Sequence, residues 1–500
     1  MSDNSAIETR SPEQRLHAEY LQLPRDLLGG TMAMRKARER YLRKGAAELL
    51  EDYELRLEST FLIDSYPRTL NFLTGQVFKK DVALEDASDS AVKFTDDVDG
   101  QGNNISVFCQ KVFRDGLNCG ASFVFVDFSR VETRHRADGG GMEYKLPDGS
   151  WEPYTRDAVK KNGFGPRWVH VSPAQVISIR AERGKIVHFR YFEEVEAPDK
   201  NSRWEKKFSK KIRVLEPGKW EVWGRSENDN GTEWVLESEG SFSIPDVPVA
   251  VFRPGEPLSD FTAMPALQGL AELCVEHWQS SSGHRHLMDW VRRPMFFGRL
   301  LRSGPNDGEP IPFGPNRLLD ANDPSADLKS VGVDPSSVAA SSADLDKIES
   351  KMALYGLRLL LPRTGGITAT QNALESAEND SALKRWARQF KDAIETALVF
   401  TARWLDEEQE VGIRLNDEFV KVFDGQLFGV LLQAEQAQVL PKRLVYDAIR
   451  SLLPIQDDVE WEEVKAMIAD QERTGEAPLS AQEAARRLLS PSQNSEPPRA

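Results

Sequence analysis

An α+β fold is predicted for this 500-residue chain by three patterns in its sequence. Apolar residues recur at helical spacing in the first 120 residues and again between 261 and 405. Short Trp-, Val- and Ile-rich runs, separated by Gly, Pro, Asn and Lys clusters, fill residues 168–252 and read as an antiparallel sheet. Between Phe261 and Leu405 the order is helix, short β-rich excursion, helix, Gly-Gly loop and one very long helix.

In chain order, residues 1–25 read as a polar arm. A charged helix is expected over 31–62, with Met34, Tyr41, Leu42, Leu49, Leu50, Tyr53 and Leu57 as its broken stripe. Pro67 precedes a second helix over 69–78. A third, over 105–118, ends at Gly120 and leads into a buried strand over 121–128. The expected strands of the sheet are 168–171, 176–179, 186–189, 212–215, 220–223 and 234–236, with their Trp residues as packing groups. The helix from 261 carries Leu267, Leu270, Ala271, Cys274 and Trp278 on one stripe. The excursion follows at Arg292–Leu300, with a Gly/Pro/Asp/Asn-rich stretch and a second apolar run at Asn316-Arg317-Leu318-Leu319. A return helix is expected over 334–361, and Pro362 to Gly366 interrupts it. The chain is then helical from Thr370 to Asp406, roughly 50 Å at ~1.5 Å per residue. Residues 411–424 read as a connection with strand character, 426–473 as helices broken at Pro441 and Pro454, and the end as a polar tail.

Composition narrows the function. Hydrophobic residues make up 40 % and charged residues 29 %, the balance of a globular chain. No run approaches a membrane span, and the polar opening lacks the pattern of a secretory signal. Three cysteines without close pairing fit reduced structural thiols. A net charge of −15 is the wrong sign for a protein that grips phosphates, although a wall past which DNA must slide is served by repulsion.

No catalytic, cofactor or metal constellation is expected. The chain lacks a P-loop, an H-E-x-x-H and a G-x-S-x-G. Asp96-Asp97-Val98-Asp99-Gly100 opens like a calcium loop, but Phe108 stands where the loop needs Glu. His284 and His286, two residues apart, do not share a helix face. Arg363, beside Gly365-Gly366, is the one basic residue singled out as able to touch a passing phosphate.

Several segments together resemble the portal proteins of tailed bacteriophages (siphovirus-like), in a subgroup catalogued as a domain of unknown function. They are the run from Gly29 to Leu42 with Tyr53-Glu54-Leu55-Arg56-Leu57 and Leu73 to Lys80; Asp115-Gly116-Leu117-Asn118-Cys119-Gly120; Glu276 to Ser282; and Gly314-Pro315-Asn316 with Thr368-Ala369-Thr370. Leu42 is followed by Arg43 where that group has Pro. The resemblance covers residues 20–410, and the last ninety match only by position and helical character.

The resemblance implies an arm (1–25), a wing (26–260), stem helices (262–290 and 334–361) and a clip between them (291–333). It further implies a tunnel loop (362–370), a long wing helix (371–410), a helical crown (411–474) and a flexible tail (475–500). The implied role is a ring, typically of twelve copies, at one capsid vertex, through which DNA is packaged and ejected. Its implied partners are further copies of itself, the terminase large subunit, the head-tail adaptor, and the major capsid and scaffolding proteins. Contact with double-stranded DNA would be transient and non-specific, with no membrane. The virion portal vertex, and the host cytoplasm during assembly, would be its locations.

Arg363, Thr364, Gly365 and Gly366 would face DNA. Arg292, Arg293, Arg299, Arg302, Asn316 and Arg317 would dock the motor and adaptor. Glu272, Glu276, Asp344, Asp346 and Glu349 would flank the channel. The clip is expected to pair strands between neighbours, because a lone two-stranded ribbon is marginal in water. Two alternatives stay open: another head-tail connector, or a metal-dependent nuclease using Asp96, Asp97, Asp99 and Asp127.

Overall fold

The chain turns helical earlier than its sequence suggests. Ser11 caps helix α1 (Pro12–Leu28), its Oγ accepting from the Gln14 amide at 3.4 Å. The inward positions are Gln14, His17, Leu21, Pro24 and Leu27. Their spacing is helical, but two are polar and one is proline, so no apolar stripe announces them. Residues 12–25 are therefore not an arm: His17 sits with Nε2 2.8 Å from the Cys119 carbonyl, deep in the fold.

The computed structural model describes residues 4–85, 87–128, 133–135, 142–146, 150–153, 165–198, 206–225, 233–242, 244–292, 295–299, 324–332, 334–356, 369–405, 407 and 411–416. The chain divides into two compact units, Met1–Phe419 and Val420–Ala500. The helices expected over 426–473 and the tail lie outside the described residues.

The single helix expected over 31–62 is two, α2 (Gly30–Ala37) and α3 (Leu50–Ser59). Arg38 separates them, with φ 48° and ψ −122°, a backbone state that side-chain-bearing residues seldom adopt. Next come α4 (Ser65–Val77), β1 (Ala83–Glu85), α5 (Asp89–Thr95) and α6 (Ile105–Cys119). The Asn104 side chain caps α6 by accepting from the Val107 amide at 2.9 Å. Gly120 ends it at φ 79°, where a Cβ would lie 2.3 Å from the Ala263 carbonyl oxygen.

β2 (Ser122–Phe128) is the centre of a three-stranded antiparallel sheet, flanked by β6 (Pro166–Val171) and β12 (Val249–Phe252). Its continuous apolar run is explained by cover on both faces. Val124 and Val126 join the helical core, whereas Phe123 and Phe125 join the core under the larger sheet. A small antiparallel sheet is formed by β3 (Thr133–His135), β4 (Met142–Lys145) and β5 (Trp151–Pro153).

The larger sheet is a five-stranded antiparallel meander. It runs through β7 (Val176–Glu182), β8 (Lys185–Pro198), β9 (Lys206–Glu216), β10 (Lys219–Arg225) and β11 (Trp234–Ser241). The strand expected at 168–171 is not part of it, since β6 instead pairs with β2 from Phe123↔Val171 to Phe128↔Pro166.

The remaining elements are α7 (Gln268–Arg292), β13 (Met295–Arg299), β14 (Asp327–Val331), α8 (Pro335–Gly356), α9 (Ala369–Leu405) and β15 (Gly412–Arg414). β15 returns to pair with β1, Leu84 opposite Ile413. Where α9 crosses the small helices, Phe390 meets Phe78, Phe113 and Phe252 with ring centroids 5.8, 5.3 and 5.0 Å away. Leu383, Ala387, Phe390, Ile394, Leu398 and Thr401 face inward at three- and four-residue steps, a full amphipathic seam.

Candidate functional site at the helical hairpin

α7 and α8 form an antiparallel hairpin whose far end carries the β13–β14 ribbon. The pairing runs in one register: Ser280 Oγ donates to Asp344 Oδ2 at 3.3 Å, and His284 Nδ1 lies 3.0 Å from Ser341 Oγ. Nearer the base, His277 Nε2 lies 3.3 Å from Glu349 Oε1.

The two helices bury unequal faces. On α7, Leu270, Ala271, Cys274, His277, Trp278 and Ser282 are buried. On α8 only Ile348 and Met352 are, with Val338, Ser341 and Leu345 half-buried on the same stripe. His277 Nδ1 and Trp278 Nε1 are buried without a hydrogen-bond partner, a costly arrangement for this interface. Burial pushes the Cys274 thiol up to about 12, and lifts Cys109 and Cys119 as well, so none of the three is a ready nucleophile.

The hairpin is tied to the N-terminal helices through residues distant in sequence. Arg56 holds Glu48 at 2.7 Å and donates to Ser282 Oγ at 3.2 Å. Gln279 Nε2 donates to the Tyr41 carbonyl at 2.8 Å. The Arg56 hydrogen bond, against a smaller opposing effect of burial, holds the Glu48 carboxyl down at about 2.

Glu272, Glu276, Asp344, Asp346 and Glu349 all lie exposed on this hairpin. Glu272 accepts from Gln268 Nε2 at 2.9 Å, and Asp344 and Glu349 make the contacts across to α7. Lys347 and Lys351 share the outer surface of α8, so that surface is of mixed sign rather than uniformly acidic. Arg292 is the exposed last residue of α7, and Arg299 stands opposite Asp327 in the ribbon register. Arg293, Arg302, Asn316, Arg317 and the loop residues Arg363, Thr364, Gly365 and Gly366 lie outside the described residues.

Two expectations change here. The strand that pairs with the excursion is Asp327–Val331, after the apolar run at 316–319, and it pairs within the same chain. The stem helices are Gln268–Arg292 and Pro335–Gly356 rather than 262–290 and 334–361. Before α7, the segment containing Pro265 forms turns and a lone bridge, Pro257↔Ala263.

The carboxylates of the nuclease alternative are occupied. Asp127 is buried between Arg213 at 2.8 Å and Arg167 at 3.1 Å, and Glu193 lies 3.0 Å from Arg213. Burial alone would raise the Asp127 carboxyl, but the two arginines outweigh it and hold it below its ordinary value. Asp97 Oδ1 accepts the Gly100 and Gly102 amides at 2.8 and 3.0 Å, and Asp99 accepts the Gln101 amide at 2.9 Å. Among the described residues, no three His, Cys, Asp or Glu side chains gather as ligands for a metal, and no helix is long and apolar enough to cross a membrane.

The sequence reading missed Arg56, Tyr41 and Gln279 as anchors of the hairpin, and Arg213 with Asp127 beneath the sheet. Arg56 and Ser282 are 226 residues apart, and no local spacing signals such a contact.

No curated protein matches this chain. Three solved chains are similar to it. One is from the "Neck of native GTA particle computed with C12 symmetry", with 12 % identity, 85 % of this chain and 90 % of that one covered, and a TM-score of 0.36. Another is from the "Neck of empty GTA particle computed with C6 symmetry", with 11 % identity, 87 % and 98 % covered, and a TM-score of 0.38. A third is from the "Virion of native gene transfer agent (GTA) particle", with 12 % identity, 75 % and 85 % covered, and a TM-score of 0.35. Residues 266–405, the hairpin, its ribbon and the long helix, match the model of a family described as a domain of unknown function (DUF4055).

Proposed function

We propose that this chain is a phage portal protein: a non-enzymatic ring subunit at one capsid vertex through which DNA is packaged and ejected. The observation that carries the reading is the hairpin, with a strand ribbon at its tip and a 37-residue helix following it. The family match on these same elements agrees with the sequence resemblance. In this reading α7 and α8 are the stem and the ribbon with its neighbouring residues is the clip. The loop at 362–370 narrows the tunnel. The terminase motor docks on the clip and is later replaced by the head-tail adaptor.

The sparse buried face of α8 suits a wall helix that gains its remaining contacts from neighbours in a closed ring. Both outer edges of the β13–β14 ribbon are open among the described residues, available to strands of adjacent copies. Exposed carboxylates at Glu272, Glu276, Asp344, Asp346 and Glu349 would keep DNA from adhering to the wall. The phosphate-neutralising contacts that drive duplex binding would otherwise have to be broken at every step.

Negative-stain microscopy with native mass of the purified full chain tests this. A ring of about twelve copies with a central hole is the expected result. A different closed assembly without a through-channel points to another connector role. A compact monomer that cuts DNA with magnesium, and loses that activity in Asp127→Ala, ends the portal reading. Reversing the five carboxylates to Lys should leave the ring intact while slowing packaging.

A further inference from the structure

The segment from Met32 to Ile63 leaves much apolar surface uncovered. Of sixteen large apolar side chains exposed among the described residues, six fall there: Met32, Leu49, Leu50, Leu55, Phe61 and Ile63. Scattered exposed apolar residues are ordinary, but a concentration of them marks a contact surface.

Phe61 is 54 % exposed and is approached by two guanidiniums, Arg35 at 4.9 Å and Arg285 of α7 at 5.1 Å from the ring centroid. Arg35 donates to the carbonyls of Glu58 and Thr60, and its Nε is buried without a partner. Neither arginine is paired with a carboxylate, an unusual state for two like charges around one ring. Beside them, Met32, Arg35, Lys36, Arg38, Leu57 and Glu58 line an open depression. The rare backbone state of Arg38 turns the chain at its rim, and such strain concentrates at functional surfaces.

Charge indicates what covers this surface. Residues 35–44 hold six cations and one carboxylate, net +5, in a chain of net −15, so the rest of the chain carries −20. A second copy of the chain is therefore electrostatically complementary to the patch. Arginine with aromatic and Met side chains is also the composition of interface hot spots. Duplex DNA fits less well, because Leu57 and Met32 give the depression apolar lining and the Glu58 and Glu54 carboxylates stand where phosphates would lie.

We infer that the surface formed by Met32, Arg35, Lys36, Phe61 and Arg285 is a subunit contact, covered by an acidic, apolar-anchored surface of the neighbouring copy. This rests on the ring reading above. It adds a second, lateral contact far in sequence from the ribbon, one that joins the N-terminal helices of one copy to the next.

The test replaces the exposed Phe61 with the photo-cross-linker p-benzoylphenylalanine in the full chain and irradiates it, with native mass run alongside. Rings that yield a covalent ladder of copies support the inference. In that case R35E with R285E should raise the concentration for half-assembly by about tenfold or more, the scale of hot-spot loss. Thermal unfolding of the dissociated chain should be unchanged. Rings that form without a ladder, or that cross-link Phe61's position to added duplex DNA or to another virion protein, overturn this contact and leave the ring reading standing. A chain that stays monomeric and uncross-linked removes the ring reading itself, and this contact with it.

Discussion

Helices α8 and α9 follow each other in sequence, and both are long, yet they are held by different means. The second half of α9 buries a seam from Leu383 to Thr401 and is pinned by three indole hydrogen bonds. Trp168 Nε1 donates to Thr401 Oγ1 at 2.9 Å, Trp386 Nε1 to the Pro254 carbonyl at 3.0 Å, and Trp404 Nε1 to the Val126 carbonyl at 3.2 Å. α8 buries two side chains and otherwise meets α7 through Ser, His, Asp and Glu contacts at the helix surface. Polar surface contacts of that kind contribute little, typically below about 1 kcal/mol each. The difference separates a helix fixed by its own chain from one whose order is completed by neighbours.

The comparison breaks most clearly at Phe390. Removing its ring in Phe390→Ala strips the centre of the four-ring cluster, and a loss of about 3–5 kcal/mol is expected by chemical denaturation. If the loss were below about 1 kcal/mol, α9 would not be the anchored member of the pair.

Asp127 lies on β2, the strand against which α9 packs. Asp127→Asn leaves the Arg213 charge buried with Glu193 alone, and about 3 kcal/mol is expected at neutral pH. Because the Asp127 carboxyl lies below its unfolded value near 3.9, its contribution is complete above that pH. It is lost as pH falls through the folded value. The stability gap between wild type and Asp127→Asn should therefore narrow between about pH 5 and pH 2. A gap that widens on acidification would show the sign to be wrong.

Two glycine substitutions sharpen the contrast. A Cβ at Gly116 would lie 2.4 Å from the buried Phe252 ring, so Gly116→Ala overpacks the anchored region and should cost about 1–3 kcal/mol. A Cβ at Gly269 would lie 2.8 Å from the ring of Tyr355, which is 66 % exposed and free to move. Gly269→Ala also gains about 1 kcal/mol of helix propensity, so its melting temperature should stay level or rise. Equal destabilisation by both changes would mean that the hairpin is as tightly built as the core.

The helices with clean apolar stripes, α6, α7 and α9, were legible in the sequence to within a few residues of their ends, and so were the β strands. α1 was hidden because Gln14, His17 and Pro24 occupy its inward face. The break at Arg38 was hidden because no glycine marks it. At the candidate site, the carboxylates could be placed on the hairpin from sequence, but not their partners, since His277 meets Glu349 only after the chain turns back on itself.

By itself the sequence determined the α+β class, the order from α7 to α9 and the buried character of β2. Apolar periodicity and the length of each run are local properties, and local geometry converts them directly into helix or strand. Only the tertiary structure decided that β6 leaves the large sheet for β2, and that Asp127 is neutralised by Arg213. It also decided that Arg35 and Arg285 meet over Phe61. Each of these depends on groups brought together from distant parts of the chain, and the free energy of such pairings is fixed by burial and geometry that no local pattern encodes.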